Sequence, residues 1–331
     1  MITPVRITDI IYGSTEITEP VLIELLASKP VQRLKHINQH GPMKQAQPQR
    51  GTITRYDHSV GVMLLLRKHG ASVAEQAAGL LHDIAHTAFS HVVDYAMDSD
   101  KRQNFHEEIK QYFVNQSEIP EILRRYDFNP EYIIQAENFS LLERTEPELC
   151  ADRIDYVVRD SVVTFDLLTL AAGKAHHAAL RTNGTEWYFV NQQSAKQFAE
   201  DMLNCSEQGW YSATNLAAFH TLGTVMKLLL KNNFITQEDL FSTDEAFYAK
   251  CQSCQDSEIQ QLLHQLENLN ATVDPSDFTI LRKPKIRTAD PLFLQEQHLV
   301  RLSDTDAAFR QRLEEHMNWL AAGIPVKILA A

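Results

Sequence analysis

The segment Gly79-Leu80-Leu81-His82-Asp83-Ile84-Ala85-His86 constrains this chain more than any other. With Ala77 and Ala78 ahead of it, its apolar side chains predict a helix buried nearly all round. Ser72 and Glu75 have the spacing of a capping box, which sets the helix start. An imidazole beside a carboxylate in such surroundings is costly unless both are paired or share a cation. A divalent metal satisfies both, so the fold must bring further ligands to this segment.

Two other stretches offer them. Arg55-Tyr56-Asp57-His58-Ser59 supplies a His one helix earlier, and Asp152-Arg153-Ile154-Asp155-Tyr156 supplies a carboxylate on a later helix. His58, His82, Asp83 and Asp152 are therefore the candidate metal ligands. Imidazole and carboxylate donors suit Zn, Mn, Fe, Ni or Co better than Ca, and Mg is kept in the expected set. Four protein ligands leave positions on a five- or six-coordinate ion for water and a phosphate oxygen.

Other polar residues follow the same helical spacings. His86 lies one turn beyond His82 on the same face. His91 and Asp94 are three apart and share a face, and His106-Glu107 comes next. A His held by a carboxylate is a well-placed proton donor to a leaving oxygen, and Asp94 orienting His106 is the expected pairing. Tyr156 and Asp160 follow Asp152 at helical spacing and look into the same pocket. Asp155 and Arg159 read as a salt bridge along that helix.

Composition bounds the function. The chain has 331 residues with net charge −12, which argues against gripping nucleic acid, since that needs a basic face. A small anionic substrate remains compatible, since a metal and a few Arg make one positive pocket. The N-terminus carries no long apolar run, and no window approaches about 18 consecutive apolar residues. The expectation is a cytoplasmic protein without membrane association. Its four Cys are expected to be reduced thiols. Cys251-Gln252-Ser253-Cys254 lacks a second CxxC and reads as two unrelated residues near a helix.

The predicted architecture is mostly α. An extended segment at residues 7–11 precedes a turn at Tyr12-Gly13. Helices are expected from about Thr18 to Ala27 and through Val31, Leu34 and Ile37, then a loop from Gly41 to Thr54. Further helices are expected over 59–69, 105–113, 120–126, 130–135 and 147–163. Residues 170–190 read as a β-hairpin around Asn183-Gly184. Helix resumes over 194–230, 236–248 and 256–267, a strand or two follows in 272–287, and residues 299–322 close with a helix. Residues 1–165 are expected to form the catalytic core, and 166–331 a helical lobe packed on it.

With these positions laid out, the chain resembles the HD-domain metal-dependent phosphohydrolases, most closely the branch with the SAM-and-HD-domain deoxynucleoside triphosphate triphosphohydrolases. The likeness rests on residues 9–13, 32–39, 55–61, 82–91 and 152–160. It implies an HD-domain helical core holding a metal at His58, His82, Asp83 and Asp152. His86, Asp94 and His106 would be catalytic, with His106 the general acid. His91 and Arg55 would meet phosphate, while Gln39, Tyr156 and Asp160 would meet the sugar. Arg153 stands where the family has Lys, keeping the charge with a different geometry. The helix from Tyr211 to His220 carries no Arg or Lys where the triphosphohydrolases hold distal phosphates.

The expected function is hydrolysis of a small phosphorylated substrate. A deoxynucleoside triphosphate is favoured, giving nucleoside and triphosphate; a nucleoside monophosphate or other phosphomonoester is the alternative. A non-catalytic nucleotide sensor of the same fold is the rival from another class. Relatives that assemble suggest a homo-oligomer by analogy alone.

Overall fold

In the computed structural model, which describes residues 3–97 and 103–329, the metal-competent segment lies at a helix junction. Thr54 starts the first helix of that junction, Arg55–Lys68, with a reciprocal capping box to Asp57. The cap moves the helix start four residues ahead of the expected Ser59, so Arg55 and His58 occupy its first turn. Val73–Leu81 packs against it, and so does Ala151–Arg159. Gly61 makes this last approach possible, because a Cβ there would collide with the Arg159 guanidinium and the Asp155 carboxylate.

The expected helix through His86 ends at Leu81. Ser72 accepts from Glu75 N as its cap, while the Glu75 carboxylate accepts from Leu141 N instead of closing the box. Residues 82–86 continue in tight turns, with Ile84 N bonded to Leu81 O and His86 N to Asp83 O. His82 and Asp83 thus sit at the helix terminus, free to aim side chains that a continuous helix would splay.

Around this junction lie three apolar clusters. The largest joins Leu22, Leu25, Val62, Leu80 and Val157 to Trp187, Phe198 and Phe309, so it draws on both halves of the chain. The second packs Phe89, Val92 and Val93 against Leu222, Val225 and Phe247 of later helices. Cys251 and Cys254 are buried thiols within it. The third holds Tyr211, Leu216 and Leu320.

Among the described residues the strands form three small sheets. Val5–Asp9 and Gly13–Ile17 pair as an antiparallel hairpin. Leu180–Thr182 and Trp187–Phe189 form the expected hairpin, extended by Leu292–Gln295 and His298–Arg301. Its first arm does not begin at Leu170 as the pattern predicts, because Leu170–Ala179 is a helix. Thr169 caps it, and its Ala-rich sequence has high helix propensity. The third sheet centres on Ile324–Ile328, between Ala271–Val273 and Ile280–Arg282.

Two expected helices are interrupted by π-helical turns. Ala151–Arg159 runs into one at Asp160–Thr164, and Gln192–Cys205 into another at Ser206–Trp210 before Ala213–Lys231 begins. Such turns re-aim side chains and recur at functional sites. Here they aim Asp160 and Trp210 at each other, the indole Nε1 donating to the carboxylate at 2.8 Å.

Candidate active site

His58, His82, Asp83 and Asp152 converge on one point. His58 Nε2 lies 3.2 Å from His82 Nε2 and 2.9 Å from an Asp152 oxygen, and His82 Nε2 is 3.4 Å from that oxygen. Asp83 oxygens are 3.7 Å from His58 Nε2 and 3.5 Å from His82 Nε2. The opposite ring nitrogens are already engaged. His58 Nδ1 donates to Asp155 at 2.8 Å, and His82 Nδ1 donates to Gly79 O at 2.7 Å. Both Nε2 atoms are thereby left as acceptors facing one another in a buried site with two carboxylates. That donor set fits a divalent cation, with ring tautomers fixed from behind.

The support behind His58 reaches the N-terminus. Arg159 holds Asp155 through two hydrogen bonds of 2.9 Å, and a third Arg159 nitrogen donates to Asp9 at 2.9 Å. Asp9 in turn accepts from Ile11 N and Tyr12 N in the hairpin turn. Without metal, burial pulls the His58 pKa down, but Asp152 and Asp155 overcome it and lift it to about 10. Burial pushes Asp83 upward, yet His82, Arg55 and His86 hold it well below the usual carboxylate range. Protons therefore compete with metal, and affinity falls with falling pH.

A second cluster adjoins the first. His86 Nε2 is 3.2 Å from Asp83, and its ring stacks on His106 with centroids 3.9 Å apart and planes 19° apart. His91 meets His86 edge-on at 4.9 Å. Burial, then Arg55 and His106, depress both His86 and His91 well below the ordinary imidazole range. Nitrogens of these three rings come within 4.8 Å of one another, so they too could hold a metal. The near-parallel stack keeps in-plane N–H groups of the two rings side by side, where they can donate to neighbouring acceptor oxygens.

The partners differ from those expected. Asp94 binds His91 Nδ1 at 3.0 Å, and its other oxygen accepts from Phe105 N, where the His106 helix begins. The carboxylate beside His106 Nε2 is Glu107, at 3.2 Å. Asp94 thus positions His106 through the helix end. Arg55 donates to Asp83 at 2.6 Å and to Ser90 Oγ at 2.9 Å, bracing a candidate ligand more than facing phosphate. Arg153 is tied to Glu146 at 3.2 Å and to the carbonyls of Arg144 and Glu148.

One cavity of about 910 Å³ contains both clusters. Tyr156 and Asp160, expected from helical spacing, line it together with Gln39, expected from the resemblance, and His40 is 3.1 Å from Asp160. Trp210 packs edge-on against Tyr156 at 5.3 Å. Several lining residues escaped the sequence reading. Glu143 lies near Cys150 and Asp152, where burial and the Asp152 charge push its pKa to about 7. Lys285 and Arg287 enter from a late segment without helical periodicity, and Trp210 is aimed by a π-turn that apolar patterning does not reveal.

Residues 55–160 match the family model described as HD domain. The metal-dependent phosphohydrolase cns2 of Cordyceps militaris is 31% identical to the chain, over 87% of this chain and 84% of its own length. The chain belongs to the HD-domain metal-dependent phosphohydrolases. The HD phosphohydrolase is also 32% identical to the uncharacterized protein YdhJ of Bacillus subtilis, covering 98% and 99% of the two chains. A solved phosphohydrolase of Bacteroides thetaiotaomicron shares the fold at 16% identity, with a TM-score of 0.69 over 98% of this chain and 99% of that one. No helix among the described residues of this HD phosphohydrolase is long and apolar enough to cross a membrane.

Proposed function

We propose that this HD phosphohydrolase cleaves a phosphate ester of a nucleoside at the phosphorus nearest the sugar, with a nucleoside monophosphate as substrate. The carrying observation is the charge of the cavity wall. Among the described residues, Asp and Glu there outnumber Arg and Lys, and Arg55 and Arg153 are already committed to Asp83 and Glu146. A single phosphate suits this wall better than the fourfold negative charge of a triphosphate.

His58, His82, Asp83 and Asp152 would hold the divalent ion, which when bound supplies Lewis-acid polarisation of a phosphoryl oxygen. His86 and His91 would contact the phosphoryl oxygens. Gln39, Tyr156 and Asp160 would orient the sugar, supported by their place on the same wall. A water would attack in line as the bond from phosphorus to the sugar oxygen breaks, and His106 would protonate that oxygen. Action in the cytoplasm and assembly as a homo-oligomer belong to this reading; sedimentation checks the latter.

The second reading is a deoxynucleoside triphosphate cut to nucleoside and triphosphate. Three cations in the cavity favour it: Arg144, Lys285 and Arg287. Incubation with nucleoside monophosphates and with dNTPs, followed by phosphorus NMR, separates the two. Orthophosphate from monophosphates alone supports the first reading. Tripolyphosphate release from dNTPs would replace it with the second, and no turnover of any nucleotide would sink both.

A further inference from the structure

The segment from Tyr211 to His220 lacks the cations that the family resemblance leads one to expect there. The cavity receives cations from another part of the chain. Residues 283–291 connect the strands Ile280–Arg282 and Leu292–Gln295, and they bring Lys285 and Arg287 to the wall that holds Asp152 and Tyr156. The Arg287 guanidinium lies over the Tyr156 ring, 5.5 Å from its centroid, and donates to Gln103 at 2.9 Å.

This segment is pinned at the first cation and beyond the second. The buried Tyr211 hydroxyl donates to the backbone oxygen of Lys285 itself at 2.5 Å. After them, the Asp290 carboxylate accepts from Ser303 N and Oγ, and Asp290 N donates to Pro147 O at 3.0 Å. Among the described residues no carboxylate is within ion-pair distance of the Lys285 ammonium or the Arg287 guanidinium. Both are half-buried. Burial, with Arg287 next in weight, lowers the pKa of Lys285. Glu146, Glu143 and Asp152 act on Lys285 from a distance without pairing with it. Two like charges held side by side and half desolvated, with no direct ion-pair partner, suit the binding of an anion between them.

We propose that Lys285 and Arg287 form the phosphate grip of this active site, binding the non-bridging oxygens of the reacting phosphoryl group. The inference rests on the phosphohydrolase reading of the neighbouring metal site. It deepens that reading by assigning substrate binding to a segment remote in sequence from the HD motif. Arg287 offers two parallel donors to a phosphate and Lys285 a compact point charge. Tyr211 is a positioning residue, because it holds the backbone from which Lys285 projects.

The test is calorimetric titration of manganese-loaded protein with inorganic phosphate at low salt, on wild type and variants of equal metal content. Lys285→Met and Arg287→Gln should each weaken phosphate binding by about 10-fold or more, the scale of one charge-assisted hydrogen bond. Arg287→Lys should recover part of the loss, and Tyr211→Phe should cost a smaller factor. The conservative Arg287→Lys variant keeps the test decisive if Arg287→Gln does not fold. Phosphate binding as tight as wild type in Lys285→Met and Arg287→Lys would overturn the grip. Failure of metal-loaded wild type to bind phosphate would instead overturn the reading of the metal site, and the grip with it.

Discussion

The two histidine clusters of this cavity are built on opposite principles. Around His58 and His82 every ring nitrogen is engaged. Nδ1 is fixed by Asp155 or by Gly79 O, and Nε2 faces the ligand point. In the neighbouring cluster, His106 Nδ1 is buried without a hydrogen-bond partner, and His86 Nε2 approaches Asp83 outside hydrogen-bonding geometry. The first arrangement is set in advance by a chain of charged hydrogen bonds, and the second is left open. A buried nitrogen without a partner is destabilising, so the open cluster is where substrate oxygens gain most by binding. The first cluster holds, and the second waits.

Removing a candidate ligand should break the first cluster outright. His82→Ala or Asp83→Ala should strip the ion and lower turnover by more than about 10³-fold, since several kcal/mol of polarisation goes with it. Elemental analysis and a phosphatase assay check this; full metal content in both variants would contradict the site. Changing the second cluster should leave metal in place. His106→Ala should retain the ion yet slow turnover by roughly 10²–10⁴-fold, with a smaller loss on a nitrophenyl ester whose leaving group needs no proton. Equal losses on both esters would remove His106 from the role of acid.

The support of the first cluster should be measurable on its own. Asp155→Asn leaves all four candidate ligands in place but weakens the hold on His58, and metal affinity should drop by about 10–100-fold. Asp9→Asn, two links further away through Arg159, should cost less. Competition with a chelator gives both values, and an Asp9 effect as large as that of Asp155 would mean that the hairpin acts by another route.

The smallest effect concerns the loop that carries His91. Asp244 accepts from Asn38 N at 2.7 Å and Phe89 N at 2.6 Å, holding a turn in which Phe89 and Ser90 have positive φ. Burial raises its pKa from 3.8 to about 7 despite these bonds. Between those values the folded protein keeps a proton that the unfolded chain has released, so this group's contribution to stability declines as pH rises through that window. Asp244→Asn should flatten that part of the melting-temperature profile. An unchanged slope would show that other groups set it.

How much of this is legible in the chain depends on distance and period. His82-Asp83 is local, and its apolar neighbours announce a buried polar pair. Arg55, His58 and Asp152 read through short patterns on the helices they occupy. Helix ends are harder: the Thr54 cap and the stop at Leu81 depend on backbone hydrogen bonds that hydrophobic spacing does not encode. The π-turns keep a helix-like composition while rotating Asp160 and Trp210 toward each other. Asp94 is expected to serve His106, yet spacing alone gives no means of choosing between His106 and its nearer neighbour His91. Lys285 and Arg287 lie in a Pro-containing stretch without period, and their place follows from contacts of that stretch with Tyr211, Pro147 and Ser303, partners distant in sequence.

That last placement has a consequence for how the protein comes into being. A ribosome delivers His58, His82 and Asp83 early, Asp152 later, and the segment that completes the cavity wall later still. At ordinary elongation speeds the gap between Asp152 and Lys285 lasts roughly ten seconds. For that interval the nascent chain carries every candidate metal donor but neither Lys285 nor Arg287. The order of synthesis therefore puts every candidate metal donor on the chain well before the two cations of the proposed phosphate grip.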